Sequence, residues 1–77
     1  MSKKITVFTK HGCIQCEMTK NVLSNEGVEF NSINVEEDEQ ALDYVKNVLG
    51  LTSMPVVEVE GEEPFTGFQP DKLQELA

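Results

Sequence analysis

The chain has no arginine and no tryptophan, and its 77 residues include only two cysteines, three prolines and five aromatic rings. It also lacks any apolar run of about 18 residues, so no membrane-spanning helix is expected. The missing arginine accompanies a net charge of −8. A nucleic-acid partner is therefore not expected, because neutralising phosphates takes a basic surface. The basic start holds only a short apolar stretch that ends in Thr-Lys-His. That is a poor secretory signal, and a cytoplasmic protein is expected, with no membrane partner. Repeats, linkers and low-complexity tracts are absent too. The length suits one small domain spanning 1–77, for which a monomer suffices.

The charge that is present is unevenly placed. Residues 1–20 carry four lysines against one glutamate, whereas residues 21–77 carry two lysines against thirteen acids. One reading is a solvated, self-repelling surface. The other is that Lys10, His11 and Lys20 make the cysteine end electropositive, which would favour a thiolate there. The acidic run Glu36–Glu39 reads as the acid-rich opening of a helix.

Hydrophobic patterning predicts the order β-α-β-α-β-β-α. Lys4–Thr9 is β-branched and aromatic, as in a central strand. Cys13–Glu26 reads as a helix with apolar positions at Ile14, Met18, Val22 and Leu23, closed by Gly27. Val28–Val35 reads as a second strand whose phase changes between Phe30 and Ile33, so a shift or loop is expected within it. Asp38 suits the N-cap of a second helix. Its apolar stripe is expected at Ala41, Leu42, Val45, Val48 and Leu49, with Gly50 as its stop. Val56–Val59 and Pro64–Thr66 flank a turn at Glu60-Gly61-Glu62, and Pro70 opens a final helix holding Leu73 and Leu76. The long first connection implies a right-handed parallel crossover, and the short turn implies an antiparallel hairpin. The expected class is α/β: a four-stranded mixed sheet flanked by three helices.

Cys13 and Cys16 stand three residues apart as Cys-Ile-Gln-Cys, after a strand and at the head of a helix. Three readings fit them. As a structural staple they would close a loop contributing only roughly 2 kcal/mol in the chain-entropy model, and a cytosolic protein would keep them reduced. As half of a metal site they would need further ligands, and only His11 and carboxylates are available. The favoured reading is a redox dithiol near a βαβ unit. A helix N-terminus offers unsatisfied N–H groups and partial positive charge to a sulfur anion. Cys13, first at the helix end, is then the exposed nucleophile. Cys16, one turn on and pointing inward, is the resolving thiol.

The order strand, Cys13-Ile14-Gln15-Cys16, helix, then Met54-Pro55-Val56-Val57 resembles the thioredoxin superfamily at glutaredoxin size. The ending Thr66-Gly67-Phe68-Gln69-Pro70-Asp71 resembles the Ser-Gly-Phe-Arg-Pro-Asp signature of NrdH-type redoxins. Members of that family combine a glutaredoxin-like sequence with thioredoxin-like behaviour. The resemblance implies electron transfer from thioredoxin reductase to class Ib ribonucleotide reductase, with no bound cofactor and no metal. It also implies a cis bond at Pro55, which would set the Met54 backbone beside Cys13 for an extended substrate segment. The chain departs from the family in having Phe65 for the usual Trp and Gln69 for the usual Arg. Loss of the Arg predicts a weaker hydrogen-bond network beside the last helix.

Around the cysteines, Ile14 is expected to be an exposed apolar contact, with Gln15 beside it. His11 is expected to be an exposed loop residue that adjusts local charge. Lys10 is a solvated lysine or a partner contact. Phe65, Gly67 and Phe68 form either a docking platform or satellite packing, and Gly67 is expected to permit close backbone approach to the cysteine loop. Tyr44 is expected to pack rather than to do chemistry. The rival functions are a glutathione-dependent glutaredoxin and a cysteine-based metal-binding module. Pro70 and the nearby acids disfavour the first, since glutathione carboxylates call for cations and an open helix start.

Overall fold

β-branched and aromatic side chains make residues 5–9 the middle of a sheet. The computed structural model describes residues 4–76. In it β1 (Ile5–Thr9) sits between β2 (Asn31–Asn34) and β3 (Val56–Val59), with β4 (Phe65–Thr66) at the far edge, in the order β2-β1-β3-β4. β1 and β2 run parallel, Thr6 opposite Asn31 through Thr9 opposite Asn34. β3 is antiparallel to β1 and β4 is antiparallel to β3. The helices are α1 (Ile14–Asn25), α2 (Glu39–Asp43) and α3 (Pro70–Glu75). The predicted order and the mixed four-stranded sheet are both present. Among the described residues no helix is long and apolar enough to cross a membrane.

Alternation along the strands sends side chains to two separate cores. Ile5, Val7, Val57 and Val59 meet Leu23 of α1 and Leu73 of α3 on one face. Phe8 and Val56 meet Val35, Ala41 and Val45 on the other. Fully burying one such aliphatic side chain contributes roughly 1.5–3 kcal/mol. The phase change in the second strand is real. Val28 and Phe30 pack on the α1/α3 core, whereas Ile33 and Val35 belong to the α2 core. Only Asn31–Asn34 pairs as strand, so the expected span was too long at both ends.

Two helical expectations need correction. On α1 the buried face is Cys16, Thr19 and Leu23, while Ile14 and Met18 face solvent. Ile14 is thus exposed beside the cysteines as expected, whereas Met18, an apolar position of the predicted helix, lies off the core side. The second helix is capped as expected, Asp38 accepting the Ala41 N–H at 3.1 Å. After Asp43, however, it widens into a π-helical turn, Tyr44–Val48, with Leu49 N–H donating to Tyr44 C=O at 3.1 Å. The wider turn slows the rotation of side chains around the axis. Val48 falls out of the stripe at 68% exposure, and Leu49 packs on the core instead. Tyr44 packs as expected: its ring lies 5.9 Å from Phe8, and its hydroxyl donates to the Glu58 carboxylate.

Candidate active site

β1 ends at Thr9, and three residues later the chain must turn sharply to enter α1. Gly12 makes the turn with φ of +68°, a conformation that a side chain would strain. Cys13 follows in an extended conformation as the N-cap of α1. Its sulfur accepts the Cys16 N–H at 3.1 Å, taking the place that a serine or aspartate oxygen holds at an ordinary helix start. One of the orphan N–H groups of a twelve-residue helix is thereby aimed at this sulfur. Cys13 and Cys16 are joined by a disulfide, with their Cα atoms 5.2 Å apart. Cys13 is half-buried and Cys16 is fully buried, so one sulfur of the pair is reachable and the other is enclosed.

Between them Ile14 is 76% exposed, an apolar side chain offered to solvent next to the reachable sulfur. A cleft of about 400 Å³ borders Cys13, lined by Lys10, His11, Ile14, Glu17, Lys20 and Asn34. Acids stand beside its cations, which weighs against the reading of an electropositive cysteine end. Lys20 is paired with Glu17 at 2.7 Å. His11 Nε2 lies 3.2 Å from Glu37 Oε2, and Glu36 accepts the His11 backbone N–H at 2.7 Å. The parallel pairing of β1 and β2 brings the loops at their C-terminal ends together, which delivers two acids to the cysteine loop. Val35 N–H to Thr9 C=O, at 2.9 Å, closes the same junction. Sequence reading gave Glu36–Glu39 to the helix start alone. The topological rule that strand C-termini share one edge would have found Glu36 and Glu37.

The Met54–Pro55 bond is cis, as the resemblance implied. Pro55 C=O accepts the Gly67 N–H at 3.0 Å. Gly67 has φ of +79°, and a Cβ placed there would meet Gln15 Oε1 at 3.8 Å. The Gln15 side chain therefore lies near the β4–α3 connection, at a distance that does not itself require a glycine. The remaining candidates are more dispersed. Phe65 and Phe68 are half-buried against the α1/α3 core, so packing takes part of each ring, and Lys72 lies over Phe65 at 5.1 Å. Met54 packs on the α2 core. The Gln69 side-chain amide donates to Thr66 C=O at 2.7 Å.

The predicted residues thus fall into two groups: Lys10, His11 and Ile14 with Cys13 at the cleft, and Gln15, Gly67 and Pro55 linked to one another. Among the described residues no group of three or more His, Cys, Asp and Glu side chains could hold a metal ion.

Comparison with known proteins agrees with this geometry. The glutaredoxin family model matches residues 5–63. The glutaredoxin-like protein NrdH of Escherichia coli K12 is 34% identical over 95% of this chain and 88% of its own length. The NrdH protein of Lactococcus lactis is 36% identical over 95% of this chain and 99% of its own. The solved structure of the E. coli glutaredoxin-like NrdH-redoxin superposes with a TM-score of 0.87, covering 96% of this chain and 95% of that one at 34% identity. The fold, the cysteine pair and these relatives agree: the chain belongs to the glutaredoxin family and, within it, to the NrdH-type redoxins of the thioredoxin superfamily, with a redox-active cysteine pair.

Proposed function

We propose that this protein is a dithiol–disulfide electron carrier in which Cys13 attacks and Cys16 resolves. The observation that carries this reading is the asymmetry of the pair: a reachable sulfur capped by a helix N–H at 3.1 Å, bonded to a sulfur with no exposure. In the reduced protein the Cys13 thiolate attacks one sulfur of a target disulfide and expels the other as a thiolate, which takes up a proton. A mixed disulfide results. Cys16 loses its proton and attacks the Cys13 sulfur, releasing the second target thiol and closing the Cys13–Cys16 bond. Two electrons have passed to the target. A reductase returns two electrons and restores the dithiol.

The flanking groups have parts in this scheme. Ile14, Lys10 and His11 contact the partner at the cleft. Met54, Pro55 and Gly67, with Gln15, shape the opposite wall, and Phe65 and Phe68 support it. The target we propose is class Ib ribonucleotide reductase and the donor thioredoxin reductase, with the carrier a cytoplasmic monomer in which residues 1–77 form one redoxin domain. The thioredoxin-like activity profile of the E. coli NrdH-redoxin supports that donor. So does α3, which opens on Pro70 with Asp71 in its first turn. That start has one N–H fewer and one carboxylate more than a glutathione carboxylate would favour.

The test is insulin reduction under two regenerating systems, NADPH with thioredoxin reductase and glutathione with glutathione reductase. Turnover with the first system, absent in Cys13→Ser, is the expected result. Brisk turnover with the second alone would replace this reading by a glutathione-dependent one.

A further inference from the structure

One buried polar atom has no role in the scheme above. Thr19 has no exposure, and its Oγ1 is the single buried side-chain nitrogen or oxygen without a hydrogen-bond partner among the described residues. Native structures rarely leave such a group unpaired, and each instance calls for a cause. A helical threonine usually satisfies its hydroxyl on a backbone carbonyl of the preceding turn, and this one does not.

Its position suggests the cause. Thr19 lies three residues after Cys16 on α1, and the two share the buried face with Leu23. Side chains three apart on a helix are neighbours. Each Cα–Cβ bond also tilts toward the helix N-terminus, which directs the Thr19 side chain toward the turn that carries Cys16. The Cys16 sulfur is bonded to Cys13 here, and in this closed state no hydrogen bond joins it to the Thr19 hydroxyl.

We propose that Thr19 is a positioning residue whose hydroxyl is unpaired while the disulfide is closed and hydrogen-bonds the Cys16 sulfur once it opens, biasing the protein toward its dithiol form. Reduction by a small dithiol such as dithiothreitol breaks the Cys13–Cys16 bond. Two electrons move to the protein, and the reductant closes its own disulfide. Of its two protons, one goes to Cys16 and the other to Cys13, or to solvent where Cys13 remains a thiolate. Cys16, enclosed and newly polar, then has only buried partners available. The Thr19 hydroxyl accepts from its S–H, or donates when Cys16 ionises to attack. Pairing exists in one redox state only, so it shifts the equilibrium between the two.

This inference rests on the dithiol–disulfide reading, and the experiment separates their failures. Wild type, Thr19→Val and Thr19→Ser are each equilibrated with reduced and oxidised dithiothreitol, and the thermal unfolding of both redox forms is recorded. Valine keeps the shape and removes the hydroxyl; serine keeps the hydroxyl. The expected result is a Thr19→Val equilibrium shifted about fivefold toward the disulfide, the equivalent of one typical net hydrogen bond, with Thr19→Ser close to wild type. The oxidised Thr19→Val protein should also unfold no earlier than oxidised wild type, while the reduced variant unfolds earlier than its reduced counterpart. An unchanged equilibrium, or equal shifts of both forms, overturns the role of Thr19 and leaves the carrier reading intact. A wild type unable to exchange overturns both. Should Thr19→Val not fold, the S–H stretch of Cys16 in the reduced protein decides the matter by infrared spectroscopy, comparing wild type with Thr19→Ser and Thr19→Ala: a band lowered in wild type and Thr19→Ser but not in Thr19→Ala is expected, and the same band in all three overturns the proposal.

Discussion

The two faces of the sheet are covered by unlike structures. On one, the regular twelve-residue α1 and the short α3 pack Leu23 and Leu73 against Ile5, Val7, Val57 and Val59. On the other, five residues of α2 give way to a π-helical turn, and Tyr44 ties this layer to the strands through Phe8 and Glu58. The reacting sulfurs belong to the first face. An uninterrupted helix presents a fixed set of N–H groups at its start, and a firm core holds that start against the sheet. The second face has only to exclude water from Phe8 and Val56, and an irregular layer suffices for that. The difference teaches that regularity is concentrated where the chemistry needs a positioned backbone.

The largest effect that would sharpen this contrast comes from the enclosed sulfur itself. Cys16→Ser should reduce multiple-turnover disulfide reduction to background while the protein accumulates as a mixed disulfide with its target, detectable by mass spectrometry under non-reducing conditions. Cys13→Ser should form no adduct. An adduct on Cys16 instead would reverse the assignment of the two sulfurs.

Next come the cores. Leu73→Ala, on the face that carries the site, should lose about 2–5 kcal/mol in chemical denaturation. Val45→Ala, on the π-turn face, removes two methyl groups and should lose about 2 kcal/mol. The contrast lies in the chemistry. Under conditions where both remain folded, Val45→Ala should exchange disulfides at the wild-type rate and Leu73→Ala should not. Equal exchange rates in the two would dissolve the distinction between the faces.

A smaller effect is expected at Gly67. An added Cβ meets Gln15 Oε1 at 3.8 Å, an ordinary contact, so the penalty for Gly67→Ala is backbone strain at φ of +79°. That strain is about 1–2 kcal/mol, and a thermal melt of the variant reads it. A melt identical to wild type would show that the β4–α3 connection relaxes freely.

The smallest change belongs to the second face. Tyr44→Phe removes one hydrogen bond and should lower stability by about 1 kcal/mol at neutral pH. The hydrogen bond to Glu58, then burial, then the Glu58 charge hold the Tyr44 phenol above its usual value of 10.0. The folded state therefore favours the neutral phenol. Its contribution is complete below the unfolded value of about 10 and is lost as pH climbs through the higher folded value. The gap between wild type and Tyr44→Phe should stay constant up to about pH 10 and narrow above it. A gap that narrowed between pH 6 and 8 would contradict this origin.

Much of this architecture was legible in the residues. The run Ile5–Thr9, the Cys-Ile-Gln-Cys opening of a helix, the Asp38 cap and the phase change before Ile33 each leave a local mark, and each corresponds to a real element. What escaped depends on distance or winding. Glu36 and Glu37 reach the cysteine loop only because β2 lies parallel beside β1, a relation that no local pattern records. The π-helical turn follows from a change of hydrogen-bond spacing at Tyr44, for which the side chains give no signal. Hydrophobicity also gave an incomplete picture of α1: Met18 counts as apolar yet faces solvent, whereas burial selects Cys16 and Thr19 beside Leu23.

The central claim is that Cys13 alone is reachable and activated. It is tested most directly by treating the reduced, folded protein with limiting iodoacetamide at neutral pH and mapping the label by mass spectrometry over time. Modification should appear at Cys13 well before Cys16 and should nearly vanish in Cys13→Ser. Labelling of Cys16 first, or of both sulfurs at equal rates, would contradict the account.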